Sequence, residues 1–449
     1  MIPKAFLARM KQLLGKEYPS FLSSVNAPAV KAVRVNTAKL SAEAFCALAP
    51  FALRPIPYAE EGFYIEEEKP GNHPLHHAGA FYVQDPGAMC TAAAVSVEKG
   101  WRVLDVCAAP GGKSSQLAAM IGEDGVLVAN EINLPRCRVL AGNLERLGMK
   151  NTIVTNTDAQ TLAGWFDGYF DLTLVDAPCS GEGMFRKYDY AGDEWNEASP
   201  AVCAARQMEI LCHAAKTVRR GGYLLYSTCT FSKEENEETV MAFLKEHPEF
   251  SLRPVKDSVI AHTSAAIGEG EITLARRFYP HIAPGEGQFL ALLQKSSDAP
   301  EGRGITYKDA SCPIPKKDAD VVNAFLKDVL GKGAGNLHPV MAGDTLVLSP
   351  LPLPPFRVFS SGVAVGTLQK GRLEPHHQFF MAYGNCFLRR LSYPSQSAEV
   401  EAYLRGETFP CPDAQNGYAA ILADGCTLGG VKVVSGMAKN HYPKGLRKR

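Results

Sequence analysis

Short apolar runs alternate with amphipathic stretches over the middle of this chain. The apolar runs lie between turn residues and indicate buried strands, while the amphipathic stretches have helical spacing. This alternation is typical of successive βαβ units and predicts an α/β domain with a parallel, Rossmann-like sheet. The predicted strands are 102–107, 125–130, 152–155, 170–176 and 221–228, joined by helices near 113–121, 133–147 and 200–219.

Two further patterns extend this α/β unit. Ser232 and Glu235 have the spacing of a capping box and predict another helix, which ends before Pro248. The apolar runs 273–279 and 288–294 predict an antiparallel pair of strands that closes the sheet at one edge.

The pattern divides the chain into four stretches. Residues 1–90 mix helix and strand signals and predict a small α+β domain, and residues 91–295 carry the Rossmann-like unit. Residues 296–317 are rich in Ser, Gly, Pro and charge and predict a linker. Residues 318–449 begin with one helix and continue as short strands broken by Gly and Pro, which favours a small β-barrel. Within the first stretch, residues 1–22 predict one amphipathic helix.

Length and cysteine spacing bound the class of protein. A chain of 449 residues is long enough for two or three domains, and it contains no run of eighteen apolar residues and no signal peptide. The twelve cysteines form no CxxC pair, which argues against a disulfide scaffold or a zinc finger. We therefore expect a cytoplasmic protein that binds no membrane. The sequence does not determine the oligomeric state, and a monomer is compatible with it.

Three neighbouring histidines, His73, His76 and His77, are the one cluster that suggests a metal. No cysteine or acid lies at ligand spacing from them. We therefore predict a polar loop and no metal site.

Charge changes the picture only at the C-terminal end. The formal net charge is zero, so no overall attraction to nucleic acid is expected. Residues 431–449 carry six basic side chains, no acid, and the interleaved His441 and Tyr442. Such a segment suits contact with phosphates and an aromatic contact to a base or sugar, although basic C-termini are also common solvated ends.

A glycine turn follows the first predicted strand and opens the next helix. Its residues are Cys107, Ala108, Ala109, Pro110, Gly111, Gly112 and Lys113. Glycines let a ligand approach the backbone, and the helix start offers N–H groups to a carboxylate or phosphate. Glu131 ends the second strand, where an acid accepts hydrogen bonds from ribose hydroxyls. Because GxGxxG is absent, S-adenosylmethionine is favoured over a dinucleotide; a glycine turn without a ligand is the alternative.

The same edge of the sheet gathers further polar side chains. Open α/β sheets bind ligands outside the carboxyl ends of their strands. Asp158 follows the third strand and is placed to reach the adenine amino group, and the fourth and fifth strands lead into Asp176, Cys179 and Cys229. Asp176 is suited to hold the cytosine edge or to support the cofactor.

Two thiols at that edge suggest covalent chemistry on a pyrimidine. Carbon 5 of the ring is a poor nucleophile until a thiolate adds to carbon 6, and a base must later remove the carbon 5 proton. One cysteine can attack while the other assists release. The alternative is a small buried apolar role, which we accept for Cys46, Cys90, Cys203 and Cys212.

The motifs resemble those of the Sun-type RNA (cytosine-5) methyltransferases. The matching segments are VLDVCAAPGGKSSQLA, NEINLPRCRVLAGNLERLG, DLTLVDAPCSGEGMFRK and GGYLLYSTCTFSKEENE, preceded by FYVQDPGAM. The resemblance implies that Cys229 is the nucleophile and that Cys179 promotes breakdown of the adduct. It also implies S-adenosylmethionine contacts from residues 107–113, Glu131, Asp158 and Asp176. Many relatives carry Asp in place of Glu131, and either acid can bind ribose.

The two ends of the chain narrow the expected substrate. FSSGVAVGTLQKGRLEPHHQFFMA and GYAAILADGCTLGGVKVVSGMAKNHYPKGLRKR resemble the extension of bacterial small-subunit ribosomal RNA methyltransferases of the F group, whose last domain is PUA-like. The N-terminal region would then be RNA-recognition-like. The resemblance implies ribosomal RNA or the small ribosomal subunit as partner. The alternatives are a cytosine-5 methyltransferase of tRNA or DNA, in which case Cys179 would attack DNA, and a non-catalytic RNA-binding assembly factor.

Overall fold

The chain folds as a large central sheet flanked by smaller sheets at both ends. The computed structural model describes residues 2–187, 189–369 and 371–448. Met1 of the predicted first helix and Arg449 of the basic end lie outside the described residues. Residues 4–83 contain α1 (Lys4–Leu14), α2 (Tyr18–Asn26), β1 (Lys31–Val35), α3 (Ala42–Leu48), β2 (Arg54–Ile56), β3 (Ala59–Ile65), α4 (Pro74–His77) and β4 (Phe81–Val83).

The central part alternates strands and helices. Its elements are α5 (Pro86–Ala93), β5 (Arg102–Asp105), α6 (Gly112–Ile121), β6 (Val126–Asn130), α7 (Leu134–Leu147), β7 (Thr152–Thr155), α8 (Ala159–Trp165), β8 (Phe166–Asp167), β9 (Phe170–Asp176), α9 (Asp189–Glu194), α10 (Ser199–Thr217), β10 (Val218–Thr228), α11 (Thr239–Glu246), β11 (Phe250–Arg253), α12 (Asp257–Ile260), β12 (Ser264–Ala265), β13 (Arg276–Phe278) and β14 (Gln288–Lys295).

The C-terminal part is mostly strand. It contains β15 (Gly304–Ile305), α13 (Lys316–Leu330), β16 (Val340–Ala342), β17 (Thr345–Leu348), β18 (Val358–Ser360), β19 (Val363–Gln369), β20 (Arg372–Pro375), α14 (His377–Tyr383), β21 (Arg390–Tyr393), α15 (Ala398–Arg405), β22 (Phe409–Pro410), β23 (Gly417–Ala423), β24 (Cys426–Val434) and β25 (Met437–Asn440).

The predicted Rossmann-like sheet is confirmed. Its strand order is β12-β13-β14-β10-β9-β5-β6-β7-β18, with β11 also paired to β14. The strands from β10 to β7 are parallel, and β14 runs antiparallel between β10 and β13, as the predicted edge pair requires. Because β5, β6, β7, β9 and β10 run in one direction, their carboxyl ends meet along one edge.

The first predicted helix is wrong in one respect, because residues 4–26 form two helices. Gly15 has φ +50°, a conformation that side-chain-bearing residues rarely adopt, and a short 3-10 turn of Gly15–Glu17 separates α1 from α2. Phe6, Met10 and Phe21 of these helices are buried together with aromatic side chains of the central domain. The pair therefore covers the central domain.

The N-terminal and C-terminal sheets share a hydrophobic core. The N-terminal sheet has the order β2-β3-β1-β4, and the last sheet has the order β21-β23-β24-β25-β22. Val33 and Phe81 of the first lie in one buried cluster with Ile421 and Val431 of the last. A separate four-stranded sheet, β16-β17-β19-β20, packs with α13. The C-terminal part is thus a PUA-like unit with a curled sheet, together with helices.

The stretch predicted as a linker contacts the central domain. Gly304–Ile305 pairs with β8, and the ring of Tyr307 packs against Phe166 with centroids 5.5 Å apart. Farther along, β18 pairs antiparallel with β7 and so forms the outer strand of the central sheet. The predicted domain limits themselves stay a prediction.

The basic end is folded onto its domain. Tyr442 is 3% exposed and packs against Tyr403, so the expected aromatic contact with a base is wrong for this side chain. Lys448 donates a hydrogen bond to the carbonyl of Asn72. Burial explains the difference, since the apolar ring is held by neighbouring aromatics and is unavailable to RNA.

The three histidines lie in and before α4. His73 accepts a hydrogen bond from the N–H of Leu75, and burial lowers the pKa of His76 to about 3 and that of His77 to about 4. Among the described residues no group of three metal-ligating side chains converges. Over those same residues, no helix has the length and apolarity needed to span a membrane.

Candidate active site

A cavity of about 960 Å³ lies at the carboxyl ends of the parallel strands. Every site residue proposed from the sequence borders it except Gly111. Those on the wall are Cys107, Ala108, Ala109, Pro110, Gly112, Lys113, Glu131, Asp158, Asp176, Cys179 and Cys229. The sheet topology therefore gathers five separate chain segments around one space.

The glycine turn forms the floor of the cavity at the start of α6. Gly111 has φ +107°, and a Cβ there would lie 3.1 Å from Leu140 Cδ1, so this residue faces α7 and not the cavity. Ser114 donates to Asp105 at 2.6 Å, and burial raises the pKa of that aspartate to about 7. Ser115 donates to the Gly111 carbonyl at 2.7 Å. These bonds fix the first helical turn, whose N–H groups suit an anionic ligand.

Two acids are placed where the sequence predicted nucleoside contacts. The Glu131 carboxylate accepts from the N–H of Asn133 at 2.9 Å and lies 3.5 Å from the Arg136 guanidinium. Asp158 accepts from the N–H of Thr161 at 2.7 Å and caps α8. Carboxylate oxygens accept hydrogen bonds from hydroxyl and amino groups, so this side of the cavity suits a ligand that carries such donors.

The two thiols are adjacent. Cys179 Sγ lies 3.1 Å from Cys229 Sγ, and both side chains are partly exposed. The hydrogen bond with Cys229 and burial raise the pKa of the Cys179 thiol well above its ordinary value. Cys179 is therefore a thiol at neutral pH. Burial likewise raises the pKa of Cys107 well above the ordinary thiol value, which makes it a poor nucleophile.

Asp176 and Lys113 form an ion pair beside the thiols. Lys113 Nζ lies 2.8 Å from Asp176 Oδ2, and Ser227 donates to Oδ1 at 2.6 Å. Burial by itself would lower the pKa of Lys113, but the neighbouring Asp176 carboxylate outweighs it and the net pKa is raised. Lys113 is thus a fixed cation. The Cys229 sulfur is among the neighbouring groups that contribute to the raised pKa of Lys113.

Glu235 joins the two thiol-bearing segments. The predicted capping box is half formed, because the N–H of Glu235 donates to Ser232 Oγ at 3.3 Å but the carboxylate does not return the bond. It instead accepts from the N–H of Ser180 at 2.9 Å, from Ser180 Oγ, and from Gln207 Nε2 at 2.8 Å. The helix begins with a π-helical turn, Glu234–Glu238, which precedes α11. Three donors outcompete one backbone N–H for this carboxylate.

Three regions of the chain match known families. Residues 2–86 match the N-terminal domain of 16S rRNA methyltransferase RsmF, residues 92–294 match 16S rRNA methyltransferase RsmB/F, and residues 390–448 match the methyltransferase RsmF PUA domain. Ribosomal RNA small subunit methyltransferase F of Klebsiella pneumoniae is 32% identical over 467 residues, which cover 99% of this chain and 96% of that protein. The enzyme of the same name from Erwinia tasmaniensis is also 32% identical, over 99% of this chain and 96% of its own length. The chain belongs to the small-subunit ribosomal RNA methyltransferase F family.

A solved relative agrees with this family assignment. A methyltransferase homolog protein from Pyrococcus horikoshii is 30% identical, with a TM-score of 0.57, and the match covers 65% of this chain and 95% of that chain. As a member of the methyltransferase F family, the chain is an RNA methyltransferase whose cofactor is S-adenosylmethionine.

Several side chains of this methyltransferase F cavity were missed by the sequence analysis. Gln84, Arg136, Arg206, His213 and Gln288 all border it. Gln84 lies in the segment FYVQDPGAM, which was noticed only as a whole, and Arg206 and His213 are one face of α10. Helical positions seven apart share a face, so the spacing of the last two was the available signal.

Proposed function

We propose that this protein methylates carbon 5 of a cytidine in 16S ribosomal RNA, in the cytoplasm, through a covalent cysteine adduct. The observation that carries the proposal is the 3.1 Å contact between Cys179 and Cys229 on the wall of a cavity that also fits a nucleoside cofactor. The names of the relatives supply the ribosomal substrate. The PUA-like and N-terminal domains are then the parts that hold RNA.

Cys229 is the proposed nucleophile. Its thiolate forms a bond to carbon 6 of cytosine, and the electron pair displaced in the ring makes carbon 5 nucleophilic. When bound, S-adenosylmethionine supplies an electrophilic methyl group. Lys113 is a cation near the Cys229 sulfur, on the side of the cavity where the attack would take place.

Cys179 is proposed to assist release. A base removes the proton from carbon 5, the ring double bond re-forms, and the carbon 6–sulfur bond breaks with its electrons on Cys229. Cys179 remains a thiol at neutral pH because its pKa is raised by the contact with Cys229 and by burial. It can therefore donate a hydrogen bond to the departing sulfur.

The remaining residues are proposed to hold the cofactor and the base. The segment from Cys107 to Lys113 would hold the methionyl end, while Glu131 and Asp158 would bind the ribose and adenine. Both oxygens of Asp176 already accept hydrogen bonds, which fixes the carboxylate for a donor such as the cytosine amino group or the cofactor. The target cytidine must be unstacked to reach the cavity, so an accessible loop of RNA is expected.

Cysteine variants test the assignment. Cys229→Ala should abolish methyl transfer and form no covalent species, whereas Cys179→Ala should accumulate a protein–RNA adduct that survives SDS. Cys203→Ala is the matched control, because this partly exposed thiol of α10 is not among the residues of the cavity wall. Full turnover by Cys229→Ala, or normal turnover without adduct by Cys179→Ala, would refute the assignment.

A DNA substrate is the second candidate, since there the cysteine after proline, Cys179, would attack. Tritiated methyl transfer into undermethylated small subunits, naked 16S RNA and a matched DNA separates the possibilities. Transfer to DNA with an adduct in Cys229→Ala would replace the RNA proposal.

A further inference from the structure

Gln84 lies immediately after β4, on the segment that leads from the N-terminal domain into the central domain. It is 7% exposed and borders the cavity beside the start of α6. Of the two polar atoms of its side-chain amide, only Oε1 has a partner. The Nε2 donor makes no hydrogen bond to any described residue. A buried amide donor without an acceptor costs free energy, so its position needs a reason.

The orientation of this amide is fixed by Arg34. Arg34 Nε donates to Gln84 Oε1 at 2.8 Å, which assigns the oxygen to the guanidinium side and leaves the Nε2 group on the other. A Cβ placed on Gly112 would lie 3.3 Å from Gln84 Nε2. The unpartnered donor is therefore next to the backbone of the first residue of α6.

Arg34 also anchors the helix start. Its Nη2 donates to Ser115 Oγ at 2.6 Å, and no carboxylate of the described residues forms an ion pair with this buried guanidinium, although the charge of Glu61 is close enough to act on it. Burial lowers the pKa of Arg34 to about 10, so the group is still charged near neutral pH. Behind Gln84 there is thus a buried positive charge, and beside it are the N–H groups that open a ten-residue helix.

These donors suit an anionic ligand. Lys113, the obvious cation of the turn, is engaged with Asp176 at 2.8 Å, and Arg136 lies beside Glu131 and donates to the Ala109 carbonyl. Both cations are thus already engaged by acceptors of the protein. Among the described residues beside Gly112, Gln84 has a buried amide donor without a partner.

We propose that Gln84 Nε2 binds the carboxylate of the methionyl group of the cofactor and that Arg34 is a positioning residue that orients the amide. The inference rests on the proposed function for the identity of the ligand. It means that the N-terminal domain, through Arg34 of β1 and the segment after β4, completes the cofactor site.

Calorimetric titration of the full-length protein with two probes tests this assignment. S-adenosylhomocysteine carries the carboxylate, and 5′-methylthioadenosine lacks it. Gln84→Glu keeps an oxygen for Arg34 but replaces the donor with an acceptor, so the Kd of S-adenosylhomocysteine should rise by about ten- to a hundredfold. The Kd of methylthioadenosine should stay within about twofold, because this probe has no carboxylate to lose the contact. That limit corresponds to a change in binding free energy of less than about 0.5 kcal/mol.

Gln160→Glu is the matched control, because this exposed residue of α8 borders the same cavity. It adds the same charge at the rim and should leave both Kd values nearly unchanged. Gln84→Leu, which lacks both donor and acceptor, serves if Gln84→Glu does not fold, as judged by its melting temperature. Equal weakening of both probes, or unchanged binding of S-adenosylhomocysteine, would overturn the assignment.

The result that would refute the proposed function differs from the one that would refute the Gln84 contact. If Gln84→Glu weakens S-adenosylhomocysteine as expected while the wild-type protein methylates no cytidine, the cofactor contact stands and the reaction assignment falls. If cytidine is methylated normally and Gln84→Glu binds both probes like the wild type, only the contact is wrong.

Discussion

At the scale of residues, two buried carboxylates hold the loops that carry the thiols. Glu182 accepts from Thr230 Oγ1 at 3.0 Å and from the N–H of Phe231 at 3.2 Å, and its second oxygen has no partner among the described residues. Glu235 holds Ser180 from the other side. Together they connect the segment after Cys179 to the segment after Cys229.

Glu182 makes stability depend on pH. Burial raises its pKa to about 7, from an ordinary value near 4.5, so the folded state binds a proton that the unfolded state has already lost between these values. The free energy of unfolding should therefore fall as the pH rises from about 4.5 to about 7 and then level off. Glu182→Gln should reduce this slope, leaving the share of Asp105, whose pKa is also raised to about 7, and should raise stability at pH 8 by roughly 1–3 kcal/mol. Urea unfolding at several pH values measures it.

Glu234→Gln is the control for that experiment. Glu234 pairs with Arg9 at 2.7 Å near the surface, so its loss should alter stability little at any pH. A Glu182→Gln slope equal to that of the wild type would show that Glu182 is ionised in the folded state.

The sequence predicted the residues on the cavity wall better than the residues that hold the surrounding loops in place. Glu131, Asp158, Asp176 and both thiols follow strands, so their approach to one cavity follows from parallel topology alone. Glu235 was assigned to a capping box, because the local spacing contains no trace of Ser180, which lies 55 residues away. Long-range hydrogen bonds override a local motif where several donors compete for one carboxylate.

At the scale of elements, α1 and α2 support the segment of Cys229 through aromatic contacts. The ring of Phe21 is edge-on to Phe231 with centroids 5.3 Å apart, and Phe6 packs on Phe185 at 5.0 Å. Phe231 follows the segment of Cys229 by two residues, and Phe185 follows that of Cys179. The helices therefore bear on both thiol loops from outside the cavity.

Phe21→Ala should destabilise the protein by about 3–5 kcal/mol and lower kcat by roughly ten- to a hundredfold at a temperature where the variant is folded. The cavity left by the ring lets Phe231 and the adjoining loop shift. Phe45→Ala is the control, since Phe45 is equally buried but belongs to the core shared by the two end domains. It should cost similar stability and leave kcat near the wild-type value. Equal kcat for the two variants would show that α1 and α2 serve folding alone.

Element type was predictable where the pattern was periodic. The parallel strands and α6, α7 and α10 agree with the prediction to within a few residues. The break between α1 and α2 was missed because the apolar spacing continues across Gly15, whose positive φ is a property of the backbone that the spacing does not report.

At the scale of the whole molecule, the two end domains are held together by one core. Arg146 of α7 donates to the carbonyls of His76 and Phe81, and Tyr442 contacts His77. The central domain and the last domain therefore both contact the N-terminal unit. Sequence patterning marks which residues are apolar but not which distant sheet covers them. The shared core was therefore not predictable.

A chain that ends at residue 389 should lose protection in the N-terminal domain. Removing residues 390–449 uncovers Val33, Phe45 and Phe81, which share a cluster with side chains of that segment. Hydrogen exchange in β1 should become at least about tenfold faster, which corresponds to a decrease of about 1.4 kcal/mol in the free energy of local opening. Exchange in β9, at the centre of the large sheet, is the internal control and should change little. Unchanged protection of β1 would mean that the N-terminal unit is stable without its partner.

The outer strand β18 has a consequence for biosynthesis. Val358 and Ser360 pair with β7, some two hundred residues earlier in the chain, so the edge of β7 stays unpaired until that late segment has left the ribosome. Bare sheet edges recruit other chains. We therefore expect this edge to be open to association with other chains until the late strand docks.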